Sequence, residues 1–473
     1  MSPLTPESTT PWTTFSTAGF DIGGEDQISF LRKEFPTEPV AEPGIREFQA
    51  GWEQFLKETR IRIGTLLKSD NVSFLLGAGA SKDAGGVLLS KIPLEVEERL
   101  LVQGIKGNAI RGWLRVFYLA ASELGGGADI AERSAILARM GGIRSATPLA
   151  VNYEALLSQL YRWRSAMGES GGRILIEPTP KQWISSRDLN ECLARTKQEL
   201  VKACTLPTSE IGKEGVVRHA ALLRKSLTRP LSLKRGNFFT LNYDTLIEQA
   251  ADGEGVVVID GFVGAGCRVF RPESFDYDMY FPAETTEGRV HRLDRVIHLY
   301  KLHGSVSWKA EPGDWINPYG ITCQASIDEN ESALIYPTPT KFGETLGMPY
   351  SEMFRRFAVT IVRPQSSLFV LGYGFGDDHV NAIIRQALSI PSFSLVIVDP
   401  YAPLPDGNGS PFVARLRAQK DRRVWVISGD PFGTFSGFVT SLLPDLRDQE
   451  IQRKVMETVK AIARRERPTD SEA

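Results

Sequence analysis

The stretch Val72-Ser73-Phe74-Leu75-Leu76-Gly77-Ala78-Gly79-Ala80-Ser81 passes from an apolar run into a glycine-rich loop within one residue. The run is short and bounded by turn formers, Ser69-Asp70-Asn71 before it and Gly77 after it. It therefore reads as a buried parallel strand, because a strand covered on both faces shows little polar alternation. Glycines directly after such a strand let backbone approach a pyrophosphate, and a following helix N-terminus adds about half a positive charge. Taken alone the stretch describes a tight strand-to-helix turn common to α/β proteins, since the GxGxxG spacing is not met. Its meaning depends on what the rest of the chain brings beside it.

Three more segments have the same form. FFTLNYDTLIE (238–248) is a strand ending at Asn242-Tyr243-Asp244 and yielding to a helix. Ligands of open α/β sheets gather at the carboxyl ends of strands, where an Asn amide can orient a water or a ribose hydroxyl. Asp244 also suits a capping position for the helix that follows. LYKLHGSVSW (299–308) ends a strand at His303-Gly304, and with only five histidines in the chain this imidazole stands out. His298, on the same strand but opposite in alternation, reads as structural. LFVLGYGFGDDHVN (368–381) is another strand, Gly-rich turn and helix start, with Asp377 and Asp378 matched to the helix dipole. Gly372, Gly374, Gly376 and Asn381 are its ligand candidates. A strand over 394–398 then closes on Asp399, placed to accept from adenosine ribose hydroxyls, and a final strand covers 423–427.

Composition limits the setting. The chain has 473 residues, enough for one large domain with an inserted module. Lys and Arg total 55 against 57 Asp and Glu, so no global field recruits nucleic acid or an anionic membrane. Cys192, Cys204, Cys267 and Cys323 form no CxxC pair, which argues against a disulfide framework or zinc knuckle and fits a reducing cytoplasm. No apolar run approaches the roughly 20 residues that span a bilayer, and the start lacks an export signal.

Residues 1–43, rich in Thr, Ser, Pro and Glu, read as a partly ordered arm whose Trp12, Phe15, Phe20 and Phe30 dock on a neighbouring surface. The main domain is expected over 44–450, opening with a helix that carries Phe48, Trp52, Phe55 and Leu56 on one stripe. Residues 86–235 are dominated by helix formers and read as an insertion that roofs the site or mediates assembly. Residues 451–473 read as an amphipathic helix and tail. The fold class is thus α/β: a Rossmann-like parallel sheet with a large helical insertion and terminal helices.

In this order GAGAS, TLNYD, KLHGS and GYGFGDDHVN resemble the sirtuin-like catalytic domain, in particular the bacterial branch of anti-phage defence that acts as an NADase. The likeness covers about 71–86 and 236–445. It implies NAD as substrate, Asn242, His303 and Asp244 as catalytic residues, and Gly77, Ala78, Gly79, Ser81, Gly372, Gly374, Gly376, Asn381 and Asp399 as dinucleotide contacts, with no metal. Sirtuin deacylases carry paired CxxC between His-Gly and the next nucleotide strand; here that interval holds only Cys323. Water is then the natural acceptor, and protein deacylation or ADP-ribosyl transfer, or NAD sensing without turnover, are the alternatives. The family further implies a homo-oligomer, a partner such as a HerA-like ATPase or another phage sensor, and contact with nucleic acid only through that partner.

Overall fold

The computed structural model describes residues 10–86, 92–106, 109–125, 130–133, 135, 153–167, 172–176, 182–206, 210–282, 290–324, 332–334, 348–401, 409–448, 450–451 and 454. The expected C-terminal helix falls almost wholly outside them.

A nine-stranded sheet organises the molecule. Its order is Glu25–Asp26, Gly19–Ile22, Val424–Ser428, Ser394–Val398, Ser366–Leu371, Asn71–Leu76, Asn237–Thr240, Val296–Lys301, Val257–Ile259. The seven strands from Val424–Ser428 to Val257–Ile259 pair in parallel. The first of these in the chain, Asn71–Leu76, sits at the centre: the chain leaves it on one side and returns on the other with Ser366–Leu371. That is the topological switch of a doubly wound α/β sheet, where crossover connections diverge and leave a crevice at the strand ends. The expected fold class is the one observed.

Side chains alternate between two cores, as the period of two requires. Phe74, Leu76, Phe238, Leu299, Phe369, Leu371 and Val396 face a layer that includes the Glu42–Leu67 helix and Leu222, Leu223, Ile247 and Ala250. Leu75, Phe239, Tyr300, Leu368, Val370, Ile397 and Val426 face Met353, Phe357, Val380, Ile384, Val413 and Leu416. Both faces are covered, so Asn71–Leu76 and Ser366–Leu371 are buried along their whole length and mostly apolar.

Residues 10–34, expected as part of an arm, fold onto this sheet. Gly19–Ile22 pairs antiparallel with Val424–Ser428 and covers the last parallel strand, which would otherwise present an unpaired edge. Phe15 and Phe20 are buried against Trp52 of this same chain, at ring centroid separations of 5.3 and 6.2 Å. The helix expected around Phe48, Trp52 and Phe55 spans Glu42–Leu67 and buries those three residues.

The helical block separates into two parts. Helices Ile92–Gly104, Gly112–Glu123, Tyr153–Met167 and Ser186–Cys204 share a core of their own, with Trp113, Phe117, Leu157, Leu160, Leu193 and Leu200. That core also takes in Tyr243, next to Asn242, and Val306, three residues past His303. Helix Glu210–Ser226 belongs to the main domain instead: an added Cβ on its Gly215 would lie 2.1 Å from the Ala84 side chain.

Glycines at the strand ends have two distinct roles. Gly372 has φ +65°, and a Cβ there would meet the Ala80 nitrogen at 2.6 Å. A Cβ at Gly77 would meet the Gly372 carbonyl at 2.6 Å, and one at Gly79 the Gly372 Cα at 2.8 Å. These three are demanded by the two loops pressing on each other. Around Gly374 and Gly376 there is open space. Gly372→Ala is expected to lower stability by about 2–5 kcal/mol, from left-handed strain plus overpacking, whereas Gly374→Ala should stay within about 0.5 kcal/mol. Urea denaturation midpoints measure both.

Candidate functional site

Register fixes the site. Leu371 pairs with Leu76, Leu76 with Thr240, and Thr240 with Lys301, so four adjacent strands finish in one row. At about 4.8 Å per strand the row is roughly 14 Å long. Beyond it lie Gly372, Gly77, Asn242 and His303. Val398 pairs with Leu371, which adds Asp399 at the next strand end. The sequence-derived motifs therefore come together along one edge of the sheet.

Asn242 and His303 each stand two residues past a register pair on neighbouring strands. Their segments are tied: Val306 donates its N–H to the Tyr243 carbonyl at 2.9 Å, and the Tyr243 and His303 ring centroids are 6.4 Å apart. The Asn242 Nδ2 donates to the Gly77 carbonyl (2.9 Å) and to Ser81 Oγ (2.8 Å). Its Oδ1 has no partner among the described residues. The amide is thus oriented by the first glycine loop with its acceptor left over.

Ser81 Oγ donates in turn to Asp244 Oδ2 at 2.5 Å, while Asp244 Oδ1 accepts from the Leu246 N–H at 3.1 Å. Asp244 therefore serves the helix start and the loop together. Ser81 is buried, and its hydroxyl links Asn242 to Asp244. Beneath them the buried Lys301 ammonium donates to the Asp244 carbonyl and pairs with Glu248 at 2.8 Å. Burial pushes the Glu248 carboxyl up, and Lys301 opposes that rise.

Three amides of the first glycine loop are already engaged: Gly77 N–H goes to Leu371 O and Gly79 N–H to Gly372 O on the neighbouring strand end, and Ala80 N–H to Gly77 O within the loop. Ala78 N–H has no partner among the described residues. In the second loop the N–H groups of Gly374, Phe375 and Gly376 are likewise unpartnered among the described residues. Open backbone donors at the switch point of such a sheet are suited to an anion. Asn381 is buried, its Nδ2 donating to the Phe375 carbonyl at 2.9 Å and its Oδ1 accepting from the Tyr373 hydroxyl at 3.3 Å. Both ends of that amide hold the loop. Asp399 accepts the Tyr401 N–H at 2.9 Å, and burial raises its carboxyl above the usual range, with that hydrogen bond opposing the rise.

One contact was not foreseen from sequence: His303 Nε2 lies 3.1 Å from Asp377 Oδ2, with the two side chains 14% and 8% exposed. An Asp at a helix start reads as a cap, and Asp377 does cap the Asp378–Ala387 helix by accepting the His379 N–H at 2.9 Å. Nothing in the local pattern announces the second oxygen's partner.

His298 differs from His303. Its ring stacks near Tyr300, and burial pushes its pKa down to about 4, with Asp278 opposing. Unfolded, it would titrate near the ordinary histidine value of about 6.5. The native state therefore binds fewer protons between these values, so its contribution is present above pH 6.5 and lost as pH falls toward 4. Moving from pH 7 to pH 5 should lose about 2 kcal/mol through this group; His298→Gln should flatten that part of a stability-against-pH curve.

Among the described residues no helix is long and apolar enough to cross a membrane, and no group of three or more His, Cys, Asp or Glu side chains is placed to hold a metal. Residues 236–424 match the family model of the SIR2-like domain, and this matched segment holds Asn242, His303 and the second glycine loop. No curated protein matches the sequence. Solved structures with some likeness include a Sir2 homologue in complex with NAD, at 13% identity and TM-score 0.28, covering 78% of this chain and 93% of that one. A Sir2 homologue variant in complex with ADP-ribose has 12% identity and TM-score 0.26, covering 76% and 94%. The fold assignment rests on the strand order itself.

Proposed function

We propose that the chain is an NAD+ glycohydrolase, cleaving NAD to nicotinamide and ADP-ribose as an NAD-depleting effector of bacterial anti-phage defence. The observation that carries this reading is the pairing, at neighbouring strand ends, of an Asn amide with an open acceptor and an imidazole, next to loops with open backbone donors. Such donors suit a diphosphate. Asp399, at the next strand end, suits a ribose hydroxyl.

In the proposed reaction the bond between nicotinamide nitrogen and ribose C1′ breaks, its electron pair leaving with neutral nicotinamide. A water oxygen bonds to C1′, and His303 accepts the proton that this water gives up. Asn242 Oδ1 holds the water or the ribose hydroxyl. Positioning of this kind can supply roughly 7–11 kcal/mol in favourable cases. The helical module packs around Tyr243 and Val306, which supports a role in covering the site and limiting other acceptors.

Unrestrained NAD loss would harm the host cell, so a gated resting state belongs to the proposal: a cytoplasmic homo-oligomer controlled by a partner such as a HerA-like ATPase or other phage sensor. The test uses NAD labelled in the adenylate, with and without the protein encoded next to this one. Free labelled ADP-ribose equal to released nicotinamide is the expected result. Label retained on protein would point to transfer, and binding without any product would overturn the enzymatic reading.

A further inference from the structure

We propose that Asp377 is a positioning residue for His303, fixing the tautomer that leaves Nδ1 as the open lone pair. The inference rests on the reading of His303 as proton acceptor and adds the group that makes it one.

An ionised carboxylate only accepts hydrogen bonds. Facing Asp377 Oδ2 at 3.1 Å, His303 Nε2 must therefore carry the proton, and in the neutral ring Nδ1 is then the acceptor. His303 makes no other hydrogen bond among the described residues. The Tyr243 and Phe354 rings lie at centroid distances of 6.4 and 6.2 Å from the imidazole.

The second glycine loop is built around Asp377. Its N–H donates to the Tyr373 hydroxyl at 3.0 Å, and its carbonyl accepts from the Asn381 N–H at 3.0 Å. Phe375, two residues before it, holds φ +55° in the left-handed region, strain that persists only where surroundings enforce it. Here the enforcement is the Asn381 amide on the Phe375 carbonyl and the burial of the Phe375 ring against Phe412. A helix cap alone would be met by Ser, Thr or Asn. The carboxylate adds a second, negatively charged oxygen, directed at the one histidine that ends a strand in the candidate site. When that ring takes a proton during turnover, the same oxygen stabilises the imidazolium.

Asp377→Asn keeps the cap, since Asn caps as well as Asp. It removes the charge, and where its Nδ2 faces His303 it drives the ring proton to Nδ1. Two readouts decide the matter. Nitrogen-15 NMR of histidine-labelled protein, with His303 assigned from the His303→Gln spectrum, should show Nε2–H in the parent chain and loss of that tautomer preference in Asp377→Asn. Steady-state kinetics on NAD should show kcat lower by roughly 10²–10⁴-fold in that variant with KM little changed. Asp377→Ser, which also caps, should behave alike and guards against a folding artefact. An Nδ1–H tautomer in the parent chain, or a tautomer and kcat unchanged in both variants, overturns the proposal. If the parent chain shows the Nε2–H tautomer but no NAD turnover, the hydrolase reading fails while the His303–Asp377 pair stands.

Discussion

His303→Ala is expected to lower kcat for NAD cleavage by roughly 10²–10⁴-fold, the range that a placed proton acceptor contributes. The imidazole has one carboxylate partner and aromatic flanks, and it ends the strand next to Asn242. Its removal leaves a small gap between Tyr243 and Phe354, not a hole in either sheet core, so the thermal midpoint should move by only a few degrees. Rapid-quench measurement of nicotinamide release, paired with a melting curve, separates the two effects. A variant that melts normally and turns over at the parent rate would remove His303 from the chemistry.

Asn242→Ala is expected to be at least as damaging, with kcat/KM down about 10³-fold or more, because the amide does work at both ends. Its Nδ2 joins Gly77 O and Ser81 Oγ, the floor of the first loop, and its Oδ1 is the acceptor left for substrate. Loss of the first function leaves the Ser81 hydroxyl still held by Asp244 and the Gly77 and Gly79 amides still bonded to Leu371 and Gly372, so the loop stays tied and the chain should fold. Loss of the second removes what aligns the attacking water. Retained binding of NAD by calorimetry with abolished turnover is the expected signature. Binding and turnover that fall together in proportion would make Asn242 an affinity residue alone.

Much of this was legible in the sequence because burial on both faces leaves an unmistakable mark. The strands around Phe74, Phe238, Leu299 and Phe369 are apolar at successive positions, and each stops at a glycine, an Asn-Tyr-Asp or a His-Gly. What sequence could not weigh was which glycine served which purpose. Gly77, Gly79 and Gly372 suggested approach to a ligand, yet each is required by the opposite loop, and the open space belongs to Gly374 and Gly376. Asn381 reads from sequence as a ligand contact, and the structure adds that both ends of its amide are tied to its own loop.

Long-range partners were equally hidden. Gly19–Ile22 finds its strand partner some four hundred residues later, at Val424–Ser428, and a four-residue segment among Thr, Ser and Pro gives no sign of it. Asp377 carried an adequate local explanation as a helix cap, which is why its contact with His303 emerges only when the two strand ends are placed side by side.

The most direct test of the central claim is a structure of the His303→Ala chain with NAD bound. The diphosphate is expected against the amides of the 374–376 turn and Ala78, with C1′ of the nicotinamide ribose within reach of Asn242 Oδ1 and the vacated imidazole position. A dinucleotide seated elsewhere, or one whose nicotinamide ribose points away from residues 242 and 303, would contradict it.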